Sequence, residues 1–170
     1  ARIRRSHGND IGGQRRVVAL VRHGVVADHI DHRRMRPARI VDVASYYAGD
    51  LDIHDLEFKR RRYHNGSAYR QSKQANRMLV AAWAEQLSAD GITINACHPG
   101  DVNSQLSNNL GFGGSQSPDQ GADTPVWLAT EPIGSDKTGR YFAHRREEPC
   151  RFGADQAAAA ELFEACLHYS

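Results

Sequence analysis

The chain has 170 residues, 40% hydrophobic and 25% charged, with a formal net charge of +2. That balance suits one globular domain with a core of useful size and excludes a disordered or collagen-like chain. So small a charge argues against nucleic acid as a partner, and with no apolar run long enough for a bilayer and no signal-peptide pattern, no membrane is expected either.

Residues 1–35 stand apart from the rest. They hold Arg2, Arg4, Arg5, Arg15, Arg16, Arg22, Arg33 and Arg34, several His and no Lys. Within them only Arg16–Val21 reads as a strand. The glycine cluster Gly8–Gly13 has no strand before it and no periodic helix after it, so it is read as coincidental. A nucleic-acid arm would want aromatic stacking partners, and the segment has none. The expected division is an atypical basic head over 1–35, non-native or disordered, and a folded body over 36–170.

Ala38–Ser45 reads as a short buried strand that ends at a serine. Tyr46 and Tyr47 follow, placed either to wall a site or to cap the core. Lys59–Arg62 reads as a solvated face. Gln71–Leu87 is a helix, with Ala75, Met78, Leu79, Ala82 and Leu87 at helical spacing and Gly91 as its stop. Ile92–Cys97 is a second strand leading into His98-Pro99-Gly100. His98 has no second ligand nearby and is expected to be structural. Gln105–Pro118 is long, polar and glycine-rich, a loop whose Leu106, Leu110 and Phe112 either touch a ligand or are incidental. Pro118–Thr130 and Asp155–Leu167 are further helices, the second with Leu162, Phe163 and Cys166 on one side. Cys97, Cys150 and Cys166 are scattered, which predicts no metal and a reducing, cytoplasmic setting.

Tyr69 and Lys73 are the most informative pair. Four residues apart on a helix, they share a face. A cation about 5 Å from the phenol, at an effective dielectric of about 20, contributes on the order of 3 kcal/mol. That would lower the phenol pKa by roughly two units, bringing it into range for proton transfer near neutrality. Strand, helix and strand form a βαβ unit, and ligands of such sheets sit beyond the carboxyl ends of the strands. Ser45, Tyr69 and Pro99-Gly100 converge on that edge.

These residues resemble the short-chain dehydrogenase/reductase family. The match is carried by Ser45, Tyr69, Lys73 and Pro99-Gly100-Asp101-Val102-Asn103-Ser104, with Ser104 where the family has Thr. The segment from Tyr46 to Tyr63, and Ala68–Asn76, resemble its retinol-dehydrogenase-like branch, the one that includes WW-domain-oxidoreductase-like proteins. The resemblance implies an α/β fold: the C-terminal part of a Rossmann-type doubly wound parallel sheet, with the N-terminal dinucleotide-binding half largely absent. It implies an NAD(P)-dependent oxidoreductase that interconverts an alcohol and a carbonyl, here on a truncated chain expected to hold its cofactor weakly. Tyr69 would be the acid/base, Ser45 would stabilise the substrate oxygen, and Lys73 would tune the phenol and bind the nicotinamide ribose. Tyr69, Lys73, Pro99, Gly100, Val102 and Ser104 would line the cofactor. The substrate would be a small apolar alcohol or carbonyl, with the Gln105–Pro118 segment closing over it. Gly139–Phe142 would be the last, edge strand, and the Tyr69 helix would offer a face for a homo-oligomer. The chain departs from the family in lacking Asn-Asn-Ala-Gly, and in having Asp42 and Ala44 as the first and third residues of the usual Asn-Val-Ser-Ser. The alternative reading is a non-catalytic fragment that binds a partner or dimerises.

Overall fold

The computed structural model describes residues 17–21 and 38–169. The strand read over Arg16–Val21 is β1 (Val17–Val21). The rest of the basic head, and the boundary at residue 35, lie outside the described residues. The body runs β2 (Ala38–Val43), α1 (Asn65–Ser88), β3 (Ile92–His98), α2 (Gln105–Asn109), α3 (Pro118–Thr130), α4 (Ile133–Asp136), β4 (Tyr141–Ala143), β5 (Arg146–Glu148), α5 (Arg151–Ala154) and α6 (Gln156–Leu167). The strands form one sheet in the order β1-β2-β3-β4-β5. The first four are parallel and β5 is antiparallel to β4.

Alternation along the strands splits the core into two faces, as the pleat requires. Ile40, Ala44, Ile92, Ile94, Ala96 and Tyr141 pack with Val80, Ala84 and Leu87 of α1. Val41, Cys97 and Phe142 point the other way and pack with Leu128 and Trp127 of α3. A third cluster joins the far side of α1, through Met78 and Leu79, to Ala159 and Leu162 of α6. The helix is therefore apolar on two sides. The stripe read from the sequence mostly follows the α6 side and passes over Val80 and Ala84, which face the sheet. Helices α5 and α6 pack on this second apolar side of α1.

Three elements differ from expectation. Helix α1 starts at Asn65, well before Gln71, because the His64 ring accepts the Gly66 N–H at 3.2 Å and caps the first turn. The Gln105–Pro118 segment is not all loop: the Ser104 hydroxyl and Ser107 form a reciprocal cap that nucleates α2. The strand expected as the edge, β4, is internal. His144 and Arg145, with φ of 50° and 57°, turn the chain back in a two-residue hairpin and β5 becomes the edge. Such turns usually carry Asn-Gly, so this one gave no signal.

Buried polar side chains tie the layers. Arg39 donates to the carbonyls of Ala129 at 2.9 Å and Glu131 at 2.7 Å, using acceptors that the end of α3 leaves open. Leu128 has no exposed surface, whereas Val126 on the same helix is 52% exposed. Leu128→Ala should therefore cost about 2–5 kcal/mol of unfolding free energy in urea. Val126→Ala should stay within about 0.5 kcal/mol of the parent.

Candidate active site

The sheet-facing stripe of α1 changes character along its length. Its second half, Val80, Ala84 and Leu87, is apolar and packs on the strands. Its first half is Tyr69, Lys73, Asn76 and Arg77, which helical spacing puts on the same side. These polar residues meet the carboxyl end of β2. The Lys73 ammonium donates to the Val43 carbonyl at 2.8 Å. Asn76 Nδ2 donates to Asp42 Oδ1 at 3.0 Å. Arg77 Nη1 donates to the Ser45 carbonyl at 3.4 Å. Ser45 is buried, and its Oγ accepts the Tyr47 N–H at 3.0 Å, which leaves its own proton to donate.

A cleft of about 430 Å³ opens above this floor. Ser45, Tyr69, Lys73, Pro99, Gly100, Val102 and Ser104 all line it. Every residue singled out from the sequence thus reaches one space. Lys73 Nζ lies 5.8 Å from the Tyr69 ring centroid. The Tyr47 ring stacks on Tyr69 with centroids 6.4 Å apart, and the Phe112 ring meets Tyr47 edge-on at 5.3 Å. Leu106 and Leu110 line the same cleft, so the three apolar residues of the Gln105–Pro118 segment face it rather than merely decorating the surface. Tyr46 and Tyr47 wall the cleft too. His98 belongs to it as well, edge to face with Tyr46 at 4.4 Å. The Ser104 hydroxyl caps α2, accepting the Ser107 N–H at 3.2 Å.

Burial governs the charges. It pushes the Asp42 carboxyl up to about 6, against the pull of Lys73 and of the Asn76 hydrogen bond. It holds the Lys73 ammonium below its ordinary value, partly offset by Asp42 and Cys97. His98 is pushed down to about 4 by burial and by His144, so its ring is neutral at pH 7. Among the described residues no group of three His, Cys, Asp or Glu could hold a metal.

The long segment before α1 is lashed to the helix. Gln71 donates to the Leu56 carbonyl at 2.9 Å, and Gln74 accepts the Leu51 N–H at 3.2 Å. In the basic run Lys59–Arg62, Lys59, Arg60 and Arg62 are exposed, as a solvated face should be, and Arg61 alone is half-buried. Asp55 accepts the backbone N–H groups of Lys59, Arg60 and Arg61, Lys59 pairs with Glu57, and the Arg61 guanidinium reaches Gln71. Sequence reasoning missed Asp42, Asn76 and Arg77. The signal was available: polar residues at helical spacing from Lys73, on a face that is otherwise apolar.

Residues 57–112 match the family described as short chain dehydrogenase. Human retinol dehydrogenase 14 is 31% identical over 144 residues, covering 75% of this chain and 43% of that protein. Human retinol dehydrogenase 13 is 29% identical over 145 residues, covering 75% and 44%. A crystal structure of an uncharacterized protein from Mycobacterium paratuberculosis is 26% identical, superposes with a TM-score of 0.59, and is matched over 76% of this chain and 49% of that one. These matches support the short-chain dehydrogenase/reductase family for this chain. It spans under half the length of these two retinol dehydrogenases. The short-chain dehydrogenase fold accounts for the placement of the cleft, since β2 and β3 end at it and α1 begins beside it.

Gly100 has φ of +100°, and a Cβ there would land on the Gln116 side-chain oxygen. Gly100→Ala should lower stability by about 1–3 kcal/mol, read as an earlier urea midpoint. An unchanged midpoint would mean that the Pro99–Ser104 turn yields freely.

Proposed function

We propose that this chain carries the catalytic half of an NAD(P)-dependent oxidoreductase that interconverts an alcohol and a carbonyl. The observation that carries the proposal is the meeting of Ser45, Tyr69, Lys73 and the Pro99-Gly100 turn around one cleft. Tyr69 exchanges a proton with the substrate oxygen as general acid or base. Ser45 donates a hydrogen bond to that oxygen as charge develops on it. Its own backbone is held by Arg77, so the donor is in place before reaction. The Lys73 cation stabilises negative charge on the Tyr69 oxygen.

The donor set suits the nicotinamide end of a cofactor. An ammonium carries three donors, and with one on the Val43 carbonyl Lys73 has others for a ribose hydroxyl. Pro99, Gly100, Val102 and Ser104 line the same cleft. A bound nicotinamide supplies or takes the hydride. Tyr47, Leu106, Leu110 and Phe112 form an apolar wall. They favour a small substrate with an apolar body, and the segment carrying α2 closes over it. A reducing, cytoplasmic setting completes the proposal and rests on cysteine usage alone; among the described residues no helix is long and apolar enough to cross a membrane.

Tyr69→Phe is the decisive variant. NAD(P)H oxidation by a retinal-like or steroid-like carbonyl should fall by about 10²–10⁴-fold, the usual share of a positioned acid. Turnover that survives Tyr69→Phe intact would remove Tyr69 from the chemistry and the proposal with it.

A further inference from the structure

Below the cleft lies a carboxylate that the proposed chemistry does not use. Asp42 and Val43 are consecutive on β2, and each is bonded to α1: Asp42 Oδ1 by Asn76 at 3.0 Å and the Val43 carbonyl by Lys73 at 2.8 Å. Lys73 and Asn76 are three residues apart and share a face of the helix. The ammonium and the carboxylate are therefore neighbours in the joint between strand and helix. On the remaining sides, β1 sets Val21 in register with Asp42, and β3 sets Ala96 beside it with the Cys97 thiol next in line. That thiol is pushed up to about 12, chiefly by burial and further by Asp42, so it stays protonated. Among the described residues, the charged groups that meet in this joint are Asp42 and Lys73.

We propose that Asp42 is a positioning residue for Lys73, holding its ammonium charged at the end of β2 so that the ionisation of Asp42 sets how strongly Lys73 acts in the cleft. The carbonyl of Val43 offers Lys73 only a dipole. A full counter-charge raises the pH at which a half-buried cation gives up its proton, and attraction between charges is stronger in the interior than in water. Asn76 fixes the carboxylate, so the counter-charge does not wander. Because burial lifts the Asp42 carboxyl to about 6, this counter-charge is present at pH 7 and withdrawn at pH 5. The link between Asp42 and Lys73 stands on its own; only its consequence for turnover rests on the proposed function.

The folded-state value exceeds the ordinary 3.8. The stability that this carboxyl contributes is thus full below about 3.8 and lost as pH rises through about 6. Wild type should lose melting temperature relative to Asp42→Asn between pH 4 and pH 7.

Lys73 is one of three lysines in the chain, with Lys59 and Lys137, so 13C-methylation of the 170-residue protein gives few signals, and Lys73→Arg identifies the one needed. In wild type the Lys73 resonance should show a second inflection near pH 6, where Asp42 titrates. In Asp42→Asn that inflection should vanish and the main Lys73 midpoint should move to lower pH; Asp42→Glu should restore both. Absence of the inflection in wild type overturns the proposal, even if no Asp42 variant folds. An unmoved midpoint in Asp42→Asn overturns it too. Neither result depends on turnover, which Tyr69→Phe tests separately.

Discussion

The Lys73 ammonium on the Val43 carbonyl, 2.8 Å apart, fastens the first turns of α1 to the end of β2. Asn76 on Asp42 and Arg77 on the Ser45 carbonyl extend the same seam. Each uses a polar group that the strand end would otherwise leave to water or unpaired. Because the three donors sit within two turns of one helix, they act together on three nearby residues of one strand end. Tyr69 belongs to the same face, so the helix cannot rotate to satisfy its apolar contacts without also fixing the phenol. The position of Tyr69 relative to Ser45 is in this sense a packing outcome, set by Val80, Ala84 and Leu87 further down.

The other wall is built from a different kind of force. Between Val102 and Gln116 the chain closes on itself through backbone bonds: Asn103 donates to Gln116 at 2.8 Å, while Ser115 and Gln116 both donate to the Asp101 carbonyl at 2.9 Å. These bonds hold α2 and its apolar residues over the cleft with little support from the core. Phe112 is 53% exposed and Leu106 48%, and Phe112 reaches the rest of the protein through Tyr47. The floor is thus cross-linked by buried donors, and the roof rests on aromatic contacts worth about 1 kcal/mol each. A rigid floor under a weakly attached roof lets a ligand enter while the floor keeps its shape.

Much of this was legible in the sequence, and for a physical reason. The β2-α1-β3 unit has strong local signals, a short β-branched run on either side of a periodic helix, and the fold then carries Ser45, Tyr69 and Gly100 to one edge. What escaped was set by single side chains acting on backbone groups. His64 starting α1 early, Ser104 capping α2, and His144-Arg145 turning β4 into β5 are each decided by one or two residues with no periodicity to betray them. The seam residues escaped for another reason. Asn76 and Arg77 look like solvent-facing helix residues until the helix is known to have two buried sides. Of the run Lys59–Arg62 only Arg61 departs from the solvated face read from the sequence, its guanidinium turning in to Gln71.

Arg77 shows how the third layer reaches the chemistry. It is 7% exposed, yet the groups around its guanidinium are the Tyr141 ring at 3.7 Å, the Phe152 ring at 5.0 Å, the Cys150 sulfur at 3.4 Å and the Ser45 carbonyl. A buried cation of this kind is tolerable only when aromatic faces and carbonyl oxygens replace water on every side. Two of those groups, Cys150 and Phe152, come from the segment that leads into α6. The segment stays in place because Ala159 and Leu162 are sealed against Met78. Removing the α6 contacts would free Phe152, rehydrate the guanidinium and loosen its hold on the Ser45 backbone. The packing of a helix remote from the cleft is therefore part of what keeps the Ser45 hydroxyl aimed into it.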